Sequence, residues 1–306
     1  SGGDITLAVG VGGQGPLSHG MTDGGDVRVT AGETTDEEFV GGGVFVSGGL
    51  GSSTDASDGG DGGSVVVQGG EARGRHVMSD TGGDLLLTGG QAASAFGGSV
   101  ELRSGYSGAS SSGSVLIGTE HSASGALAQA TSGNVFVSTG SASAGDSGDV
   151  AVRTGDAEHG SGGDISLTVG LATQGEGSAG ADGGDIILAA GETEDSLQRG
   201  GVVSITGGLG SSVAGADGGD GGSVVIVGGE SMGMDGTVDA GGDLVMMGGL
   251  AAAGTGGAVE LMSGRSGASS SGEVVVGTAH AGTEGVSGDV QVRTGDTTAG
   301  ESGGIL

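Results

Sequence analysis

The sequence predicts an all-β protein, a parallel β-solenoid of about 18 strand-turn repeats with three strands per coil. Three observations predict it. One phrase recurs along the chain: two small residues, a polar one, alternating apolar residues and a glycine. It reads SGGDITLAVG at Ser1, TGGDLLLTGG at Thr81 and SGGDISLTVG at Ser161. Inside the phrase the apolar residues alternate, as in Ile5, Leu7 and Val9 or Val135 and Val137, which is the period of a strand. A strand-sized unit repeated this often stacks on its neighbours instead of closing around one core.

Composition narrows the alternatives. Glycine supplies 81 of 306 residues and aromatics only 2%, too little bulk for an ordinary globular interior. Yet 34% of the chain is apolar and in regular phase, unlike the composition of a disordered segment. Glycine does not fall at every third position and Pro16 is the single proline, which excludes a collagen helix. Helix is disfavoured because each glycine costs about 1 kcal/mol relative to alanine. What remains is β-structure with turns that exploit glycine's access to positive φ.

The repeats are themselves repeated. Counted between the Gly-Gly or Ser-Gly pairs that open each unit, spacings of 22, 17, 21, 20, 15, 15, 20, 15 and 15 are followed by 21, 17, 21, 20, 15, 15, 16 and 15. Residues 1–160 thus form one nine-unit block and residues 161–306 a second. GGLGSSTDASDGGDGGSVVVQGGE, near Gly48, returns as GGLGSSVAGADGGDGGSVVIVGGE from Gly207. The recurring 20, 15, 15 triplet favours three strands per coil, a prism about 30 Å tall. One unit per coil would give a stack of about 85 Å. An antiparallel β repeat array is the structural competitor.

One face of each expected strand is a continuous aliphatic stripe. The other is mixed. It carries Thr6, Arg28 and Glu101, but also Phe45, Leu86, Leu116, Phe136, Ile187 and Val245. Strands apolar on both faces are covered on both sides, so these six residues are the expected assembly contacts with a second layer or a neighbouring molecule.

Thirty-eight acids face eight bases, all arginine, for a net charge of −30. That balance excludes a nucleic-acid partner, whose phosphates need a basic surface, and disfavours an anionic membrane surface. It favours solubility and mutual repulsion of exposed faces. No cysteine is present to form a disulfide or a thiolate metal site. No signal peptide or hydrophobic span is visible, so membrane insertion is not expected. The ends fall within the repeat phrase, which reads as a piece cut from a longer array.

The aspartates after Gly-Gly or Ser-Gly (Asp4, Asp26, Asp84, Asp149, Asp164, Asp185, Asp243 and Asp289) suit backbone capping at a strand entrance better than a calcium ladder. Serine or asparagine replaces them in other units and caps equally well. In SDGGDGGS and ADGGDGGS, Asp58, Asp61, Asp217 and Asp220 offer oxygen ligands and resemble calcium-binding glycine turns, without the nine-residue period those turns need. Ca²⁺ is accordingly the single cofactor that the residues suggest. The acidic loops Thr34–Phe39 and Glu192–Asp195 read as solvated tips. His19, His76, His121, His159 and His280 lie singly, without ligand spacing. The serine runs at 110–112 and 269–271 read as turn filler, and no lysine exists to complete a phosphate loop. Nothing here assembles a catalytic set, and no enzyme is expected.

The wording of SGGDISLTVG and SGDVAVRTG resembles the repeats of filamentous-haemagglutinin-type adhesins and of repetitive surface proteins from stramenopile algae. The resemblance implies an exported, elongated protein, extracellular or on the cell surface, serving adhesion, a wall or a surface fibre. The sequence thus points to a structural protein: an acidic, rigid repeat segment of a fibre, filament or surface layer, with itself as partner. The alternative is an adhesin or a ligand- or ice-binding module that meets surface glycans or ice.

Overall fold

In the computed structural model, residues 3–12, 23–74, 79–122, 131–173, 182–215, 217–283 and 285–306 are described. None of them lies in a helix or a strand. The expected parallel β-solenoid does not form, and neither does the antiparallel β array. The alternating segments run between glycine-rich loops without a ladder partner and without a covered face.

The physical reason lies in the spacers. A strand is held by cross-strand pairing and by burial of one face. Here the residues that could cover an aliphatic face are Ser, Ala, Gly and acid, and glycine loses more conformational freedom on ordering than any other residue. Aliphatic segments of only three to five residues between glycine pairs offer too little pairing to offset that loss.

Solvent exposure makes the same point. The chain exposes 30077 Å². A compact protein of 28.1 kDa would expose about 11,000 Å², and its extended chain about 41,000 Å². No buried side chain, apolar or polar, occurs among the described residues. Even Val169, the least exposed of the described large apolar residues, keeps 40% of its surface.

The chain divides into two units, Ser1–Val152 and Arg153–Leu306. Within each, order resides in glycine-closed loops. In the first unit the N–H of Gly42 donates to the carbonyl of Gly32 at 2.9 Å, Gly63 to Gly49 at 2.8 Å, and Gly83 to Gly70 at 2.8 Å. Gly98 donates to Gly90 at 2.8 Å and Gly113 to Gly105 at 3.0 Å. In the second unit Gly201, Gly222, Gly242, Gly257 and Gly272 donate to Gly191, Gly208, Gly229, Gly249 and Gly264 at 2.8–3.1 Å. Each closure has its counterpart 159 residues later, with spans of 10, 14, 13, 8 and 8 residues in both units.

The longest of these loops shows why glycine stands at its base. Gly60 also donates to Ser53 at 3.4 Å, so the two arms run antiparallel and close together. A Cβ placed on Gly48 would overlap the carbonyl oxygen of Gly63, and one on Gly51 would overlap that of Gly60. Close approach, not an unusual dihedral, is what requires glycine there. Among the described residues only Gly145 and Gly300 have positive φ, at 113° and 150°, at matching positions of the two units. The glycine turns that the sequence suggested at positive φ are therefore mostly close-approach loops. Gly48, Gly51, Gly207 and Gly210 are partly covered, while the aliphatic segments between loops stand exposed.

Candidate functional site

The feature that every unit shares is an exposed aliphatic segment held between two glycine loops. Of the six expected assembly residues, Phe45 and Leu116 are each 95% exposed and Phe136 is 86% exposed. Leu86, Ile187 and Val245 are exposed as well. They fall one to a segment, flanked by aliphatic neighbours such as Val44 and Val46 around Phe45 or Val135 and Val137 around Phe136. Those neighbours, expected to face inward, are exposed too. Both faces of each segment are thus available for contact.

The polar residues on these segments partner locally. Arg28 reaches Asp26 at 3.4 Å and Arg73 reaches Glu71 at 3.0 Å. Arg103 pairs with Glu101, and Arg293 donates to the side-chain carbonyl of Gln291. All four contacts join residues two apart, which extended backbone brings to the same side. Being solvated, such ion pairs contribute about 0–1 kcal/mol each. Asp26, expected to cap a strand entrance, instead takes Arg28 as its partner.

Capping is present, but inside the loops. The hydroxyl of Thr34 accepts the N–H of Asp36 at 3.3 Å, and that of Thr193 accepts the N–H of Asp195 at 3.2 Å. Ser107 accepts the amide of Ser110 at 3.0 Å, and Ser266 that of Ser269 at 2.8 Å. The serine runs and acidic tips are therefore hydroxyl-stabilised turns, the same in both units. Asp55 accepts both the hydroxyl of Ser57 at 2.7 Å and its amide at 2.9 Å. Those bonds, the hydroxyl's first, and the Asp58 amide hold the Asp55 carboxyl below the usual aspartate range. Asp235 is lowered in the same way by the hydroxyl and amide of Thr237. A serine or threonine two or three residues before a free amide was the sequence signal for these caps.

Asp58 and Asp61 lie in the loop closed by Gly63 and Gly49, and Asp217 and Asp220 in its counterpart closed by Gly222 and Gly208. Neither pair is joined by a third acidic or histidine ligand: no metal-holding group of three or more such side chains occurs among the described residues. Calcium takes six to eight oxygens. His121, His159 and His280 are exposed, while His19 and His76 lie outside the described residues. No helix of the described residues is long and apolar enough to cross a membrane.

Compared with protein families, with curated proteins and with solved structures, the chain matches none.

Proposed function

We propose that this chain is a structural protein: an acidic repeat segment of an extracellular fibre, filament or surface layer, which assembles by contact between copies. The observation that carries this reading is the exposure of every aliphatic segment in a strictly repeated array. Burial of apolar area contributes about 25 cal/mol per Å², and the isolated chain leaves that contribution unused. A second copy presents the same segments at the same spacings, and within each copy the five closures of one unit are repeated with equal spans in the other. The partner that such a periodic surface fits is therefore another periodic surface of its own kind. The acidic surplus keeps copies apart until contact is made.

Negative-stain electron microscopy of the purified chain tests the reading. Long filaments or sheets are the expected result. Single particles at every protein concentration, in 1 M NaCl as well as at low salt, would remove the fibre and leave the adhesin or ligand-binding module in its place.

A further inference from the structure

Resting on that reading, we infer that assembly is gated by the chain's own charge. Copies repel one another at low ionic strength and associate once salt screens their carboxylates. Three observations carry this. The net charge is −30, with 38 acids against eight arginines. Three of those arginines already lie beside a carboxylate of the same chain, Arg28 by Asp26, Arg73 by Glu71 and Arg103 by Glu101, which leaves few cations facing a neighbour's acids. And the acids stand where contact would occur. Before eight of the aliphatic segments stands an exposed aspartate, Asp26 and Asp84 in the first unit and Asp185 and Asp243 in the second among them.

When two copies bring matched segments together, carboxylate meets carboxylate at the entrance of each contact. Like charges set opposite one another oppose pairing. The Debye length decides how far that repulsion reaches. It falls from about 30 Å at 0.01 M salt to about 10 Å at 0.1 M and 3 Å at 1 M. The attraction, being apolar, is not weakened by the same salt. The balance therefore tips towards assembly as ionic strength rises. General screening of the carboxylates is the mechanism inferred, and a bridge by a divalent cation is the competing outcome of the test.

The test is sedimentation velocity of the full chain from 0.01 to 1 M NaCl, beside CaCl₂ at matched ionic strength. It is repeated on a variant carrying Asp→Asn at all eight entrance positions. Association rising with NaCl, no stronger in CaCl₂, and a salt midpoint lowered at least about twofold in the variant is the expected result. An unshifted midpoint in the variant would assign the salt effect to solvent exclusion and overturn the gate. So would association that is independent of salt or weakened by it, though the assembling reading would stand. Association driven by CaCl₂ alone would replace the gate by a cation bridge. A chain that stays monomeric at 1 M NaCl, variant included, would overturn both the gate and the assembling protein.

Discussion

The N–H of Gly63 donates to the carbonyl of Gly49 over 2.8 Å, and the backbone beside this bond is so close that Gly48 has no room for a side chain. The same closure recurs between Gly222 and Gly208, with the same exclusion at Gly207. Glycine in this chain closes loops by removing bulk.

Gly48→Ala is expected to open its loop. The Cβ would overlap the Gly63 carbonyl, and the closing bond, worth about 0.5–1.5 kcal/mol, would be lost. That is a roughly two- to tenfold drop in the closed population, read from amide exchange at Gly63. Gly49→Ala is the control: nothing lies within 4 Å of its Cβ position, and exchange at Gly63 is expected to stay the same.

Asp55 gives a pH dependence whose sign is fixed. Its carboxyl titrates lower in the closed turn than in an open chain, because Ser57 and Asp58 donate to the charged form. The turn is therefore favoured above the ordinary aspartate pKa, and that preference is lost as pH falls through the lowered value. Nuclear magnetic resonance titration of the Asp55 carboxyl should show the depressed midpoint, and Ser57→Ala should raise it towards the ordinary range. Asp235 should behave alike on Thr237→Val. An Asp55 midpoint that Ser57→Ala leaves in place would contradict the assignment of the hydroxyl as its largest cause.

Calorimetry at low salt should show little heat-capacity change on heating. A globular chain of 306 residues would give about 4 kcal/mol/K. From the area exposed, this chain should give about a third of that or less, without a sharp cooperative transition. A full-sized heat-capacity change would mean that the aliphatic segments are buried in the single chain.

The assembly reading makes Phe45 and Phe136 the most sensitive positions, since each brings the largest apolar side chain of its segment. Burying a phenylalanine contributes about 1.5–3 kcal/mol. The double change Phe45→Ser, Phe136→Ser should therefore weaken association by about tenfold or more at each contact, measured by sedimentation equilibrium in high salt. The closures Gly70–Gly83 and Gly90–Gly98, distant in sequence from either residue, should keep their amide protection.

Sequence alone determined the periodicity, the two-block organisation and the loop lengths. Those are properties of spacing, and the matched closures from Gly32 to Gly113 and from Gly191 to Gly272 follow that spacing residue for residue. It also placed Phe45, Leu86, Leu116, Phe136, Ile187 and Val245 on the outer face of the expected strands, as contacts for a second layer or a neighbouring molecule; in the structure they are exposed, and so are the residues expected inside. Only the tertiary structure decided what the alternating segments become. Alternation states which residues share a side of extended backbone, but a strand needs a paired neighbour and a covered face. Serine, alanine and glycine spacers provide neither. Hence Val27, Val65 and Val150, expected inside, stand in solvent, and the closest packing falls on the glycines between them.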